Sequence, residues 1–426
     1  MASSDNKEAS LVSFDASDIA RLRNGGAIPS AVSTAQGGVR RLIGMKDTNA
    51  LYRKEHDKLA MKVAVFVVAL VILCFFSLCF TGASGQYYTY CSAYTFYTPL
   101  EVANALYYHA YNAIAVSTHW LSAVPNEWLL ENVPGYWAIV SRAGVVGITL
   151  ICSFLLAISG MLYQNAFRNP MAGPGMLGVG SGVSMGMMLL VALYSSAAPA
   201  MMQERYLYCY LLGVAILVFV ILAGRKLSGP GRPFDIVTMM LIGSVLSQLL
   251  GFITMYMTLF VMDESDYLTY YTMSQMLVVD TSAVSWFALG SAMIISFIPI
   301  VFLRYKLNVL SFDESEARLL GIEYGRMRAI ALICGAIMIL AAQIHVGGVG
   351  LVSLVVPFLA RSFFGCEFNK QLLGNLCISP VLLLVCRDIT DAIPFIGDGL
   401  ALSSTVSVVM VPLFVYVMAK HMRGWE

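Results

Sequence analysis

The chain predicts an all-α polytopic membrane protein with about ten transmembrane helices, including broken or re-entrant segments. Three observations predict it. Hydrophobic residues fill 58% of the 426 positions and charged residues only 12%, with a mean hydropathy of +0.75, whereas soluble domains run near about 25% charged. Apolar runs of about 20 residues, the length that crosses a roughly 30 Å hydrocarbon core, recur along the chain. The third is a polar turn broken by proline and glycine, RNPMAGPGMLGVGSG (Arg168 to Gly182), set between two such runs. Backbone that leaves the helix at membrane depth must be buried in protein or line a water-filled space, because each unsatisfied N–H or C=O costs several kcal/mol. A plain anchor has no use for such a break, and transport paths tend to lie at them.

The first apolar run begins near Met61, behind a long polar stretch. A secretory signal places its apolar core within roughly the first 30 residues, so residues 1–60 read as a cytoplasmic tail, flexible over 1–38. From Val39 to Lys62 the tail turns basic through Arg40, Arg41, Lys46, Arg53, Lys54 and Lys58. That is a positive-inside flank, with an interfacial helix as the alternative. The transmembrane domain, 61–423, then holds spans near 61–83, 137–162, 176–195, 206–224, 236–261, 284–303, 327–345, 349–364, 371–391 and 400–419. Residues 84–136 form a Tyr-rich outer loop and 304–328 the largest inner loop.

Loop charges orient these spans. With the N-terminus inside, the inner loops collect Arg168, Arg225, Lys226, Arg232, Arg304, Lys306, Arg318, Arg326, Arg328, Arg361, Lys370, Lys420 and Arg423. The outer loops carry no Lys or Arg between Ser84 and Ser141, nor between Met262 and Ser285; only Arg142, Arg205 and Arg387 fall near the outer face. Both termini are therefore placed in the cytoplasm. The outer face is acidic, through Glu101, Glu127, Glu131, Asp263, Glu264, Asp266 and Asp280. The formal net charge of +1 is spread over loops, without the basic stripe that nucleic-acid binding requires.

Cysteines show no metal-ligand spacing. Cys74, Cys79, Cys152, Cys334 and Cys377 sit in apolar context as small hydrophobes; Cys91 lies in the outer loop, with Cys209 or Cys386 as a disulfide partner if one forms. His109 and His119 read as solvated loop histidines rather than haem ligands, and His345 as a packed polar residue. Neither a metal nor a cofactor site is expected in this chain.

Three blocks carry the functional signal. In the first, Arg168 and Asn169 anchor the inner interface, Pro170 and Pro174 stop the preceding helix, and Gly178, Gly180 and Gly182 allow close backbone approach. The second is FDESEARLLGIEYGRMR (Phe312 to Arg328), where Ala317 and Gly321 are spaced like a short helix with a glycine cap. The third, GGVGLVSLVVPFLAR (Gly347 to Arg361), leads from a Gly-rich bend into a short apolar helix. Gln248 and Gln343, polar within apolar runs, are the candidates for facing a path.

In order and content these blocks resemble the permease subunits of the FecCD family, the type II ABC importers for iron-siderophores, haem and cobalamin. The family's R-N-P-L-A-x-P-x-x-L-G-x-x-x-G is here RNPMAGPGMLGVGSG; its A-R-x-L-G is Ala317-Arg318-Leu319-Leu320-Gly321; its G-P-I-x-F-V-G-L-V-V-P-H-x-x-R is GGVGLVSLVVPFLAR. The last span, VVMVPLFVYVM, matches its closing G-x-P-x-F-x-x-L-L with Val411 in place of glycine. The resemblance runs from about Trp137 to Arg423. Phe358 replaces the usual histidine, Ser353 a glycine and Ala392 an arginine.

The resemblance implies a prokaryotic inner or plasma membrane permease that does no chemistry itself. The chain has no G-x-x-x-x-G-K-[ST] phosphate loop, so ATP and Mg would be bound by a separate ABC ATPase, through coupling at Ala317, Arg318 and Gly321. An extracytoplasmic substrate-binding protein would sit above, and a second permease, identical or related, alongside. Arg168, Asn169, Pro170 and Gly178 are the inner gate, with Gln248 and Gln343 on the path. In the family, outer arginines receive acidic residues of the binding protein. Arg142 matches one, Ile139 stands where another is expected, and Arg205 or Arg387 are the substitutes. An acidic outer face would instead suit altered docking or a partner with basic contacts, and the Tyr-rich loop reads as a membrane-surface cap or as a partner platform. The cargo is a ferric siderophore or similar iron chelate, with haem or cobalamin as alternatives. An ion-coupled secondary transporter is a further alternative, disfavoured because the spans carry almost no acidic residues away from their ends; no paired His and carboxylate or nucleophile motif supports an intramembrane enzyme.

Overall fold

The computed structural model describes residues 48–81, 95–118, 123–194, 204–227, 236–274, 281–311, 314–319, 321–392 and 402–423. Tail residues 1–38, Cys91 and His119 lie outside them. The chain divides into two units, Met1–Lys62 and Val63–Glu426. Of the first, the described part is helical; the second carries the architecture below.

Among the described residues the fold is helical: α1 (Thr48–Cys79), α2 (Pro99–Thr118), α3 (Asn126–Asn132), α4 (Tyr136–Phe167), α5 (Val179–Tyr194), α6 (Arg205–Leu227), α7 (Ile236–Phe260), α8 (Glu264–Ser274), α9 (Ala283–Asn308), α10 (Glu314–Leu319), α11 (Tyr324–Val346), α12 (Gly350–Phe364), α13 (Phe368–Ala392) and α14 (Leu402–Arg423). Eight are long and apolar enough to cross a membrane, and α5 and α12 are shorter apolar helices. Together they account for the ten expected spans. The basic segment is helical over 48–60.

The outer loop over 84–136 departs from expectation. Instead of a loop, its described part holds α2 and α3, preceded by a two-residue antiparallel pairing of β1 (Phe80–Thr81) with β2 (Thr95–Phe96). The start of α2 follows from T-P-L-E: the Glu101 carboxylate accepts from the Thr98 backbone N–H at 2.7 Å and the Thr98 hydroxyl accepts from the Glu101 N–H at 3.4 Å, a capping box with Pro99 at the first helical position. Val102 and Ala105 of α2 are buried with Leu129, Val133, Tyr136 and Ile139, so the insert has a small core of its own shared with the start of α4. Asn112 closes it, donating to the Val124 carbonyl at 3.2 Å and accepting from the Val124 N–H at 2.8 Å.

Burial grades the spans. The rest of the chain encloses 78% of the apolar stretch of α4 and of α11, against 17% for α7 and none for α1. Helix α4 is the hub, packing on α11, α12 and α13. Its crossing with α12 is unusually close: a Cβ at Gly160 would lie 1.6 Å from the Ser353 carbonyl oxygen. Small residues permit such backbone approach in membrane bundles, where packing replaces the hydrophobic drive.

Candidate functional site

The Arg168–Gly182 block folds as a capped break. Helix α4 ends at Phe167; Arg168 adopts the left-handed region at φ 50, and Asn169 N–H reaches back to the Gln164 carbonyl at 3.2 Å while Arg168 N–H reaches Asn165 at 3.2 Å. This is the paired bonding of a Schellman cap, normally built on glycine. Here the Asn169 side chain supports it, its Oδ1 accepting from Met171 N–H at 2.9 Å. A 3-10 turn, Pro174–Leu177, follows, and Gly178 at φ 75 turns the chain into α5. A side chain at 178 would be strained by that φ and would crowd the Gly243 carbonyl at 3.2 Å.

Beyond the break lie two cavities. The larger, about 380 Å³, is lined by Ser181, Ser184, Thr254, Thr258, Tyr267 and Tyr271 among others, so hydroxyls and phenols dominate. The smaller, about 20 Å³, is lined by Gly180, Val183, Ser184 and Met187 of α5 and by Gln343, Gly347 and Gly348 at the α11–α12 bend. Ser184 lines both, which sets the α8 end of the domain in line with the second Gly-rich break. Gln343 is buried there, and a Cβ at Gly180 would meet its amide at 2.9 Å. Gln248 does not join it: on α7 it is exposed, because α7 presents most of its circumference away from the chain.

At the other end, the first and second blocks meet. Helix α10 stops at Leu319, and Gly321 at φ 70 caps it, with Ile322 N–H bonded to the Ala317 carbonyl at 3.1 Å. Ala317 is fully buried and Leu319 is 89% exposed, so α10 is anchored by one and projects the other. Of Arg318 only the backbone is described. The Arg168 guanidinium lies 5.8 Å from the Tyr324 ring centroid, Arg328 lies 5.8 Å from that of Phe167, and the Tyr324 hydroxyl donates to the Leu310 carbonyl at 3.4 Å. The end of α4 is thus fastened to the start of α11, immediately after the α10 loop.

The charged residues near the α8 end are placed differently from expectation. Arg142 is 0% exposed. Its guanidinium donates to Asp388 at 2.5 Å, to Asp391, to the Ser77 carbonyl at 3.0 Å and to the Ser77 hydroxyl at 3.0 Å. Arg387 pairs with Asp391 at 3.1 Å, and Ser77 donates to Asp388 at 2.7 Å. Two arginines and two aspartates balance inside the bundle and tie α1, α4 and α13 together. Arg142 is therefore a clamp buried within the chain rather than a group on its surface. Neither substitute is on the surface: Arg387 is 2% exposed, and Arg205 is 0% exposed, its guanidinium over Tyr206 and bonded to that hydroxyl at 3.0 Å. His345 packs beside them, 5.2 Å from Tyr206. Cys209 and Cys386 are buried as free thiols, and no His, Cys, Asp and Glu grouping among the described residues can hold a metal.

The FecCD transport family model matches residues 122–420, which takes in every element from α3 nearly to the end of α14. The chain belongs to the FecCD transport family. Its relatives include a "Probable iron chelatin transport system permease protein" of Helicobacter pylori strain 26695, 26% identical over 290 residues covering 64% of this chain and 78% of the relative. They also include the vitamin B12 import system permease protein BtuC of Salmonella typhi, 25% identical over 314 residues covering 73% and 91%. Among solved structures, one titled "An inward-facing conformation of a putative metal-chelate type ABC transporter" shares the fold, with a TM-score of 0.58, 20% identity, and coverage of 76% of this chain and 99% of that one.

Within this FecCD chain the folded site includes residues that sequence reading passed over. Gln164 Nε2 donates to the Leu354 carbonyl at 2.9 Å, Arg361 to Asn165 at 2.8 Å, and Asn165 to Gln371 at 3.2 Å. These brace α4 against α12 and α13 beside the RNP turn. The signal was the spacing of Gln164 and Asn165 just before Arg168, polar residues ending an apolar run. Phe358, where the family more often has histidine, meets Phe414 at 5.8 Å.

Proposed function

We propose that this chain is the transmembrane permease subunit of an ATP-driven importer for an iron chelate or cobalamin, with a ferric siderophore as the first choice of cargo. Family membership and relatives named for iron chelatin and vitamin B12 support it. The observation that carries the reading is that two cavities beside the two Gly-rich breaks share Ser184 in their walls. Two copies, or one with a related permease, would enclose the path, and the exposed apolar faces of α7 and α14 offer surface for lipid and for that partner. On this reading both termini lie in the cytoplasm of a prokaryote and α2, α3 and α8 outside; the Lys and Arg bias of the loops supports that orientation. The buried Asp388 and Asp391 do not favour ion coupling, since Arg142 and Arg387 compensate them.

ATP binding and hydrolysis belong to a separate ATPase, which would grip α10. Its movement passes to α4 through Tyr324 and Arg328, where the RNP turn of Arg168, Asn169, Pro170 and Gly178 forms the inner gate. Reversing charge in the 313–321 loop, for example Glu316→Lys, is expected to lower ATPase stimulation severalfold while the protein stays in the membrane; intact coupling would sink the assignment. Gly180→Ala tests the path. Its methyl group meets the flexible end of Gln343, and alanine favours a helix over glycine by about 1 kcal/mol. Thermal stability should hold or rise slightly while uptake falls severalfold. Unchanged uptake would remove Gln343 and Gly180 from the route.

The direct experiment is ATPase activity of the chain co-purified with its ATPase in lipid discs, with and without binding protein loaded with ferric siderophore, haem or cobalamin. Stimulation by one loaded form supports the importer and identifies its cargo. No ATPase association, together with ion-driven uptake in vesicles, overturns it.

A further inference from the structure

The insert between α1 and α4 lies mostly ahead of the stretch matched by the family model, and it builds a surface. Tyr107, Tyr108 and Tyr111 of α2, with Val124 and Trp128 beside them, line an open groove of about 520 Å³. The rings support one another: Tyr108 lies 5.3 Å from Trp128 and 5.3 Å from Tyr107, each edge to face. The scaffold beneath is fixed by the capping box, by the Asn112–Val124 pair and by Leu129, which is fully buried.

Charge decides what this groove would take. From Ser84 to Ser141 the chain has Glu101, Glu127 and Glu131 and no Lys or Arg. Glu127 adjoins Trp128 and Glu131 lies one turn on, both exposed. The arginines nearest this end of the domain are all withdrawn into its interior, while Asp263 and Glu264 at the start of α8 are exposed. Nothing cationic among these described groups answers an acidic partner. Aromatic faces flanked by carboxylates suit guanidinium or ammonium groups, and Tyr and Trp are the side chains on which interfaces concentrate their binding. A bilayer surface fits less well, because interfacial helices carry Lys and Arg toward anionic headgroups.

We infer that the groove of α2 and α3 is the docking surface for the extracytoplasmic binding protein, engaged through Lys or Arg side chains of that protein. This rests on the importer reading above, and it inverts the polarity that Arg142 would have supplied. The test uses the permease–ATPase complex in lipid discs, titrated with the binding protein loaded with ferric siderophore, at low and moderate salt. Two variants are compared with the parent, E127K/E131K and W128A, each first checked for a monodisperse elution profile. The charge variant should raise the half-maximal concentration for ATPase stimulation about tenfold and flatten its salt dependence. W128A should raise it about tenfold as well. Because Glu127 and Glu131 are solvent-facing, the charge variant keeps the test alive if W128A does not fold. Half-maximal concentrations equal to the parent's in both variants overturn the groove assignment and leave the importer reading standing. A parent complex whose ATPase the loaded protein does not stimulate overturns both. A half-maximal concentration that follows the anionic lipid fraction of the disc, equally in parent and variants, assigns α2 to the bilayer surface and overturns the docking role.

Discussion

Arg142→Ala is expected to deplete the folded protein, because it leaves Asp388 and Asp391 with one cation between them inside the bundle. Breaking a buried pair from one side costs about 3–5 kcal/mol. Ser77 also loses the donor to its carbonyl, so one polar tie between the end of α1 and α4 is lost. Arg142→Lys keeps the charge and loses the fork that reaches two carboxylates and a carbonyl at once, and should fall between parent and alanine. Arg142→Ala combined with Asp388→Asn restores neutrality and should recover part of the loss, a coupling read from the double-mutant cycle. Thermal unfolding in detergent, followed by size-exclusion profile, measures these three variants, the single Asp388→Asn and the parent. A single alanine variant that melts with the parent but answers the binding protein poorly would return Arg142 to the docking role.

Gly160→Leu should have an effect of similar size for a steric reason. Its first side-chain atom would sit 1.6 Å from the Ser353 carbonyl oxygen, which is backbone and cannot rotate aside. Helices α4 and α12 must part, and the Gln164–Leu354 and Arg361–Asn165 bonds lie along the same contact. Overpacking a tight interior costs about 1–3 kcal/mol even where neighbours adjust, so Gly160→Ala is expected to lower the melting temperature and Gly160→Leu to abolish a monodisperse species. Normal melting of Gly160→Leu would mean that the two helices are farther apart in the membrane than in this structure.

Much of the architecture was legible because bilayer crossing imposes length. Ten apolar runs became ten helices, with α5 and α12 the short ones beside the Gly-rich breaks. The cap at Gly321 and the stop after Phe167 follow from local turn chemistry. Within the segment between α1 and α4, T-P-L-E at residues 98–101 carries the local capping signature that starts α2, whereas the packing of α2 on α3 and the start of α4 is set by contacts across the segment. Gln343 and Gln248 looked alike as lone polar residues in apolar runs. One is buried at a cavity and the other is exposed on α7, and no period within a single helix separates those cases.

The sequence by itself determined that this chain spans a membrane, how often, and where its helices break, since hydropathy, proline, glycine and capping act over one or two turns. Tertiary structure decided which charged residues meet. Arg142 pairs with residues 246 and 249 positions away, and the desolvation that makes a lone buried arginine untenable is offset only where α1, α4 and α13 bring Ser77, Asp388 and Asp391 to it. That long-range neutralisation holds Arg142 and Arg387 inside the bundle while Glu127, Glu131, Asp263 and Glu264 stay exposed, and no local pattern encodes which of these charges is withdrawn.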